Sequence, residues 1–161
     1  MIGNILLALP ILLKMPNFEA HETAATRNQK VLDCLLENYE HSPDDFAHWV
    51  VTVAFYKALH LVEGIFSQEE QSFHSKDHSD RNRRLKNVKK YEHLWRYYRP
   101  LFEASMVARY LVVPYSEADQ MDLNAYLSGA SIQVKFINHY LRQIENTFAT
   151  IKAEHEKKRS S

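Results

Sequence analysis

The feature that most constrains the fold is a long, nearly uninterrupted apolar segment, DDFAHWVVTVAFYKALHLVEGIF, at residues 44–66. Its β-branched run at residues 50–53 would suit a strand. However, about 25 residues without a turn signal favour a helix over residues 43–67. Ser42 is a good N-cap, and Pro43 suits the first helical position. Because the segment is apolar nearly all round, we predict that it forms the central, most buried helix.

The shortage of glycine argues against a strand-rich fold. The 161 residues include 3 glycines, and neither an Asn-Gly nor an Asp-Gly pair occurs. Tight hairpins depend on such pairs. The length suits one domain with one core. We therefore predict an all-α fold, an up-and-down antiparallel bundle of four long helices plus a short helix.

Helical spacing of apolar residues predicts the remaining helices. The first covers residues 18–39 and a shorter one residues 80–97, after which Pro100 is expected to interrupt the chain. A further helix then continues to about Leu111. After a capping arrangement at Ser116 and Asp119, a single last helix is expected to reach about Lys157. Such a helix would be about 60 Å long, so we expect its charged end to overhang or fray.

The two ends of the chain differ in character from the middle. Residues 1–14, MIGNILLALPILLK, are an apolar extension. They are too short for a bilayer span of about 20 residues and lack the basic start of a signal peptide. Met15 is an alternative start of translation, and a short docked apolar helix is the other interpretation. Residues 15–161 are predicted to form the single helical domain.

Charge and cysteine content indicate the setting of the protein. The chain carries 20 basic and 20 acidic side chains, so its net charge is zero with histidines neutral. Cys34 is the single cysteine, and it cannot form an internal disulfide. A reducing, cytoplasmic location without a membrane partner is the expectation.

A polar stripe runs along the predicted central helix at spacings of four, four and three residues: Thr52, Tyr56, His60 and Glu63. These side chains share one helix face. Buried polar groups need partners, so the stripe has two interpretations. It meets solvent or a polar neighbour, or it lines a cleft that also receives His74, His78 and Arg81.

Two histidines four residues apart, His74 and His78, allow a metal interpretation in which His60 or Glu63 supplies a third ligand. Helical bundles do hold such sites. The chain has no His-Glu-x-x-His motif and no second cysteine. We therefore assign no metal and no cofactor, and keep a metal-dependent helical-bundle enzyme as an alternative.

The segment 74–99 is strongly basic, with nine lysines and arginines against three acidic residues. It also holds four large aromatic residues: Tyr91, Trp95, Tyr97 and Tyr98. Cations neutralise phosphates, and aromatic rings stack on unpaired bases. The segment therefore favours RNA or a nucleotide as ligand. The alternative is a solvated basic helix face with the aromatic rings turned into the core.

Three blocks of the chain resemble the HEPN superfamily of small all-helical prokaryotic domains: FAHWVVTVAFYKALHLVEGIF, HSKDHSDRNRRL and YRPLFEASMVARYL. The resemblance covers about residues 18–150 and is to a branch with a His-x-x-x-His-x-x-Arg connection. Residues that match the pattern of this branch are Trp49, Thr52, Phe55, Tyr56, Leu59, His60, His74, His78, Arg81, Tyr98, either Ser105 or Met106, Arg109 and Tyr110. Phe102 stands where the pattern has leucine.

The resemblance implies an up-and-down bundle that usually forms a homodimer. Many members of this superfamily are metal-independent ribonucleases of toxin, antiphage or CRISPR-related systems. Others are inactive partners of a nucleotidyltransferase or bind nucleotides. The nuclease members carry an arginine followed by a histidine four to six residues later, and this chain lacks that spacing. A cognate antitoxin or a nucleotidyltransferase is the implied protein partner.

The most specific hypothesis is an RNA-directed protein acting as a metal-independent endoribonuclease. Cleavage of RNA by its own 2′-hydroxyl needs a base and a cation that stabilises the phosphate. We assign these roles to His78 and Arg81, which share a helix face, with His74 beside them. Substrate-binding residues are predicted to be Tyr56, His60, Glu63, Arg84 and Arg109. A non-catalytic dimeric interaction or nucleotide-binding module is the main alternative.

Overall fold

The computed structural model describes residues 16–69, 74–112, 123–127 and 131–160, and over these ranges the protein is helical and contains no strand. The all-α prediction is therefore confirmed. The α-helices are α1 (Phe18–Tyr39), α2 (Pro43–Glu69), α3 (His78–Asn87), α4 (Glu92–Tyr110), α5 (Leu123–Leu127) and α6 (Arg142–Ser160). A 3-10 turn, Lys89–Tyr91, precedes α4, and a π-helical segment, Ile132–Leu141, runs directly into α6.

Helix α2 lies at the centre of the core, as its sequence predicts. Val50, Val51, Phe55 and Ile65 are completely buried, and α2 packs against α1, α4 and α6. By length and composition alone α2 could cross a membrane, but 72% of its most apolar window is buried inside the protein, and the core helix of a folded domain passes the same test. Its apolar surface is therefore covered by its own neighbouring helices.

Successive residues along α2 contact the residues of its neighbours in the reverse order. His21 of α1 meets His60, whereas Gln29 meets Lys57. Phe66 lies against Tyr91, and the earlier Phe55 lies against the later Tyr98 and Phe102. These pairs are those of antiparallel neighbours. The complete up-and-down topology stays a prediction, because segments 113–122 and 128–130 fall outside the described residues.

The prediction that Pro100 interrupts the helical chain is wrong. Helix α4 continues through Pro100, and the break falls earlier, at Val88, whose backbone is extended. Proline removes the hydrogen bond to the carbonyl of Arg96, but Arg96 is exposed, so water can replace that bond. Buried Tyr98 and Leu101 hold α4 against the core on both sides of the proline. Tertiary packing thus outweighs the free-energy cost of placing a proline inside the helix.

The prediction of one uninterrupted last helix is also wrong. Ser131 has an extended backbone, and its hydroxyl accepts a hydrogen bond from the Val134 N–H, so it begins a new helical segment. The sequence just before it, SGA, contains a weak helix former. The C-terminal end remains helical to Ser160 and is largely exposed, as expected for an overhang. The proposed N-terminal extension and the Ser116–Asp119 cap lie outside the described residues.

Gly64 allows α2 and α6 to approach each other closely. A Cβ atom placed on Gly64 would lie 2.7 Å from Cε2 of Phe148. Phe148 is buried, and its ring stacks on that of Phe18 with 4.7 Å between centroids. The ring therefore has little room to move away.

We expect Gly64→Ala to lower the free energy of unfolding by about 1–3 kcal/mol, because the added methyl group overpacks this contact. Urea unfolding followed by circular dichroism measures the effect. Phe148→Leu is the companion variant, and the smaller side chain should make Gly64→Ala less harmful in the double variant. An alanine variant as stable as the parent would show that the two helices are not in tight contact at this point.

Candidate functional site

A buried ion pair joins α2 to α3 at the centre of the candidate site. Nε of Arg81 donates to Oε1 of Glu63 at 2.6 Å, and the two side chains are 5% and 0% exposed. The backbone N–H of Ser75 donates to the other carboxylate oxygen at 3.0 Å. Burial by itself raises the pKa of Glu63, but the charge of Arg81 and the hydrogen bonds from Ser75 outweigh it and lower the pKa below the usual range. Glu63 is therefore ionised.

His78 contacts the guanidinium of the same arginine. Nη1 of Arg81 lies 3.1 Å from Nδ1 of His78, which confirms that these two residues share a helix face. Asp77 caps α3 by accepting the N–H of Asp80 at 2.8 Å, and this cap makes His78 the first helical residue. Burial, followed by the charges of Arg81 and Arg109, lowers the pKa of His78.

This contact determines which nitrogen of His78 carries the proton. Arginine only donates hydrogen bonds, so Nδ1 of His78 must accept one. A neutral imidazole in that position holds its proton on Nε2. His78 therefore presents an N–H donor on its other side, while its basic lone pair faces Arg81.

Arg109, near the end of α4, is the half-buried cation of the site. Its Nη1 donates to the hydroxyl of Tyr56 at 3.1 Å, and its Nε donates to the carbonyl of Ser105 at 3.0 Å. The guanidinium carbon lies 5.5 Å from the ring centroid of Phe55 and 4.9 Å from that of Tyr110. The aromatic contacts and hydrogen bonds hold the guanidinium in a fixed position while part of it still meets solvent.

Tyr56, His78 and Arg109 together form what we call the donor cluster. All three are half-buried and lie around the ring of Phe55. The Tyr56 oxygen accepts from Arg109, which leaves its O–H to donate elsewhere. An imidazole N–H, a phenol O–H and a guanidinium suit an anionic oxygen such as that of a phosphate.

Three further histidines, the histidine cluster, meet near the carboxylate of Glu63: His21, His60 and His74. Nδ1 of His21 lies 3.3 Å from Nδ1 of His60, and its ring stacks on that of His74 with 5.3 Å between centroids. Burial lowers the pKa of His21 to about 4 and is also the main cause of the lowered pKa of His60. The ring of His21 is therefore neutral at neutral pH.

The predicted site residues separate into a half-buried set and a buried set. His78, Tyr56 and Arg109 reach the donor cluster, and His60 and His74 the histidine cluster. Glu63 and Arg81 are too deeply buried to touch a substrate, so we reassign both as positioning residues. Arg84 lies elsewhere: its guanidinium carbon is 4.9 Å from the ring centroid of Phe66, about 16 Å along α2 from Phe55.

The predicted metal set of His60, His74 and His78 does not converge. In the described ranges, the group of three that does is His21, Glu63 and His74, whose ligand atoms all lie within 4.8 Å of one another. His21 was absent from the predicted site. It lies on α1 and meets α2 only through tertiary packing, so no local spacing could have indicated it. Tyr98, buried beside Arg81, was predicted as one of several aromatic residues and as a match to the HEPN pattern, but not as a site residue.

A basic groove of about 440 Å³ lies between α3 and α4. One of its lining residues is the chain neighbour of His78 in the donor cluster. It is lined by Ser79, Asn82, Arg83, Lys86, Asn87, Trp95 and Arg99. Asp80 pairs with Arg83, and Glu103 pairs with Arg99, so two of its three cations are partly neutralised. Ser79 directly follows His78 and places one end of the groove next to that residue.

Comparisons with family models, with curated proteins and with solved structures found no match for this chain. The HEPN resemblance therefore stays a prediction that rests on the quoted motifs.

We expect the free energy of unfolding to fall as the pH is lowered from 7 to 5. In the unfolded chain His21 takes up a proton near the ordinary histidine pKa of 6.5, whereas in the folded protein its pKa is about 4. The unfolded state thus binds more protons within this window, and His21 alone removes about 2 kcal/mol by pH 5. Denaturant titrations at both pH values measure the difference.

His21→Gln removes this proton uptake, so the loss between pH 7 and pH 5 should shrink by about 2 kcal/mol. His93→Gln is the matched control, because His93 is exposed. An identical pH dependence in the His21→Gln protein and the parent would contradict the assigned pKa.

Proposed function

We propose that the protein is an RNA-directed domain of HEPN type that binds an RNA phosphate at the donor cluster. The observation that carries this proposal is the grouping of three half-buried donors, Arg109, Tyr56 and His78, around the ring of Phe55, with Arg109 hydrogen-bonded to Tyr56 at 3.1 Å. Charge-assisted hydrogen bonds from such a set suit a phosphate oxygen. Tyr110, 58% exposed beside Arg109, supplies a ring on which a base can stack.

The basic groove extends this proposal along α3 and α4. Arg99 lines the groove and lies ten residues before Arg109, a distance of about 15 Å along α4. A single RNA strand of a few nucleotides covers that distance. Trp95, half-buried in the groove, offers a second ring to an unpaired base.

Binding is favoured over cleavage because of the state of His78. A general base must offer a lone pair to the 2′-hydroxyl, but the Nδ1 lone pair of His78 faces Arg81 at 3.1 Å. The Nε2 atom carries the proton and therefore donates. For His78 to act as a base, its contact with Arg81 has to open.

The first test measures binding of a fluorescent single-stranded RNA by anisotropy. Arg109→Ala should raise Kd about ten- to hundredfold, because it removes charge-assisted bonds to phosphate. It should also reduce the slope of log Kd against log salt by about one. Arg27→Ala, at an exposed position on α1, is the matched control and should bind like the parent. Equal RNA affinity of the two variants would remove the basis for this site.

Metal-independent endoribonuclease activity is the second candidate, favoured by the direct contact of an imidazole with a guanidinium. It is tested with the same RNA in the presence of EDTA. If the candidate holds, the parent cleaves the RNA, His78→Gln slows cleavage at least about 100-fold, and 2′-deoxy substitution protects the strand. Intact RNA after prolonged incubation with the parent would leave binding as the function, and cleavage unaffected by His78→Gln would point to a contaminant.

The partners implied by the resemblance complete the proposal. They are a second copy of the chain and either a cognate antitoxin or a nucleotidyltransferase, in the cytoplasm. Tyr110, Leu111 and Val112 form a continuous exposed run at the end of α4, with Trp49 exposed on α2. Exposed large apolar side chains of this kind suit a protein interface as well as a base.

A further inference from the structure

Two members of the histidine cluster, His21 and His74, form with Glu63 a group that has the composition of a metal site. One ligand atom from each of His21, Glu63 and His74 lies within 4.8 Å of the other two. In a tetrahedral zinc site the ligand atoms are about 2.0 Å from the ion and hence about 3.3 Å from one another. Binding of an ion would therefore have to shorten these separations by up to about 1.5 Å. The three residues come from α1, α2 and the segment before α3, so only the folded chain brings them together.

His21 has an unused nitrogen within the core. Its side chain is 3% exposed, and its Nε2 is completely buried and meets no hydrogen-bond partner in the described part of the chain. Its other nitrogen, Nδ1, lies 3.3 Å from Nδ1 of His60. Leaving a buried polar atom without a partner is costly. A bound cation would satisfy Nε2.

His74 is oriented as a ligand histidine usually is. Its Nδ1 lies 2.8 Å from the carbonyl oxygen of Ser75, to which it can only donate. The proton of the neutral ring is then on Nδ1, and Nε2 has a free lone pair. Metal-bound histidines commonly donate their second nitrogen to a backbone carbonyl in this way.

We propose that His21, Glu63 and His74 bind one divalent transition-metal ion of the zinc class, which fastens the segment before α3 to α1 and α2. This proposal is independent of RNA binding. It adds a ligand that the sequence patterns did not indicate, since His21 replaces His78 in the expected set.

The ligand set and its charges select the type of ion. Two imidazole nitrogens and one carboxylate suit Zn²⁺, whereas Mg²⁺ and Ca²⁺ require mainly oxygen ligands. Arg81 neutralises Glu63, so the site has little net negative charge and attracts a dication weakly over distance. Binding must then depend on direct coordination by nitrogen, in which Zn²⁺ and Co²⁺ exceed the hard cations. A water molecule would fill the fourth position of such a site.

The site has a structural consequence for the donor cluster. Ser75 follows His74 and donates its N–H to Glu63, and α3 begins three residues later with His78. An ion that holds His74 against His21 and Glu63 would therefore restrict the start of α3.

The test uses the full-length protein, freed of metal with a chelator and titrated calorimetrically with ZnCl₂. We expect one ion per chain and a Tm that rises with zinc concentration. His74→Gln should weaken zinc binding at least tenfold and reduce the rise in Tm at the same zinc concentration. His74 is half-buried and outside a helix, so this variant should fold, which circular dichroism verifies. His93→Gln, at an exposed histidine of α4, is the control and should bind zinc like the parent.

Cobalt provides a second readout that reports the ligands directly. Binding of Co²⁺ should give a visible absorption spectrum of a four-coordinate ion, and this spectrum should change in His74→Gln but not in His93→Gln. Absence of saturable zinc binding by the parent would overturn the proposal. So would equal zinc affinity of the parent and His74→Gln, or a spectrum of a fully hydrated cobalt ion.

Discussion

The buried ion pair between Glu63 and Arg81 is the interaction on which the rest of the site depends. Two charges removed from water need each other, and loss of either partner of such a pair typically costs about 3–5 kcal/mol. Here the pair also ties three parts of the chain together, because Glu63 accepts the N–H of Ser75 and Arg81 donates to His78. It therefore fixes the position of α3 and the tautomer of one imidazole at once.

The two ends of this pair lead to clusters with opposite chemistry. On the guanidinium side, His78, Tyr56 and Arg109 present donors, which suit an anion. On the carboxylate side, imidazole nitrogens of His21 and His74 lie within 4.8 Å of a carboxylate oxygen of Glu63, and such a set of ligand atoms suits a cation. Helix α2 contributes Tyr56, His60 and Glu63 to these arrangements, so the polar stripe on an otherwise apolar helix is explained by its partners. Helix α2 thus contributes one residue to the donor cluster, one to the histidine cluster, and the buried carboxylate of the ion pair.

Sequence patterns predicted much of the fold and part of the candidate site, and each failure has a physical reason. The extents of α1 and α2, the burial of α2 and the contact of His78 with Arg81 all follow from local spacing, which is a property of consecutive residues. Pro100 and Ser131 were misjudged because local propensity competes with packing and capping, and the core decides that competition. His21 could not be assigned at all, because its partners lie 39 or more residues away.

By itself, the sequence determined the helical class, the central position of α2 and the residue types available for chemistry, because periodicity and scarce glycine act locally. Only the tertiary structure decided how those side chains are used. Arg81 became a buried support although it lies in a strongly polar segment, and Arg109 became the accessible cation although it follows the apolar run MVA. The difference arises from burial: which charge is sealed in the core and which meets solvent depends on how α3 and α4 pack against α2, and no local pattern encodes that.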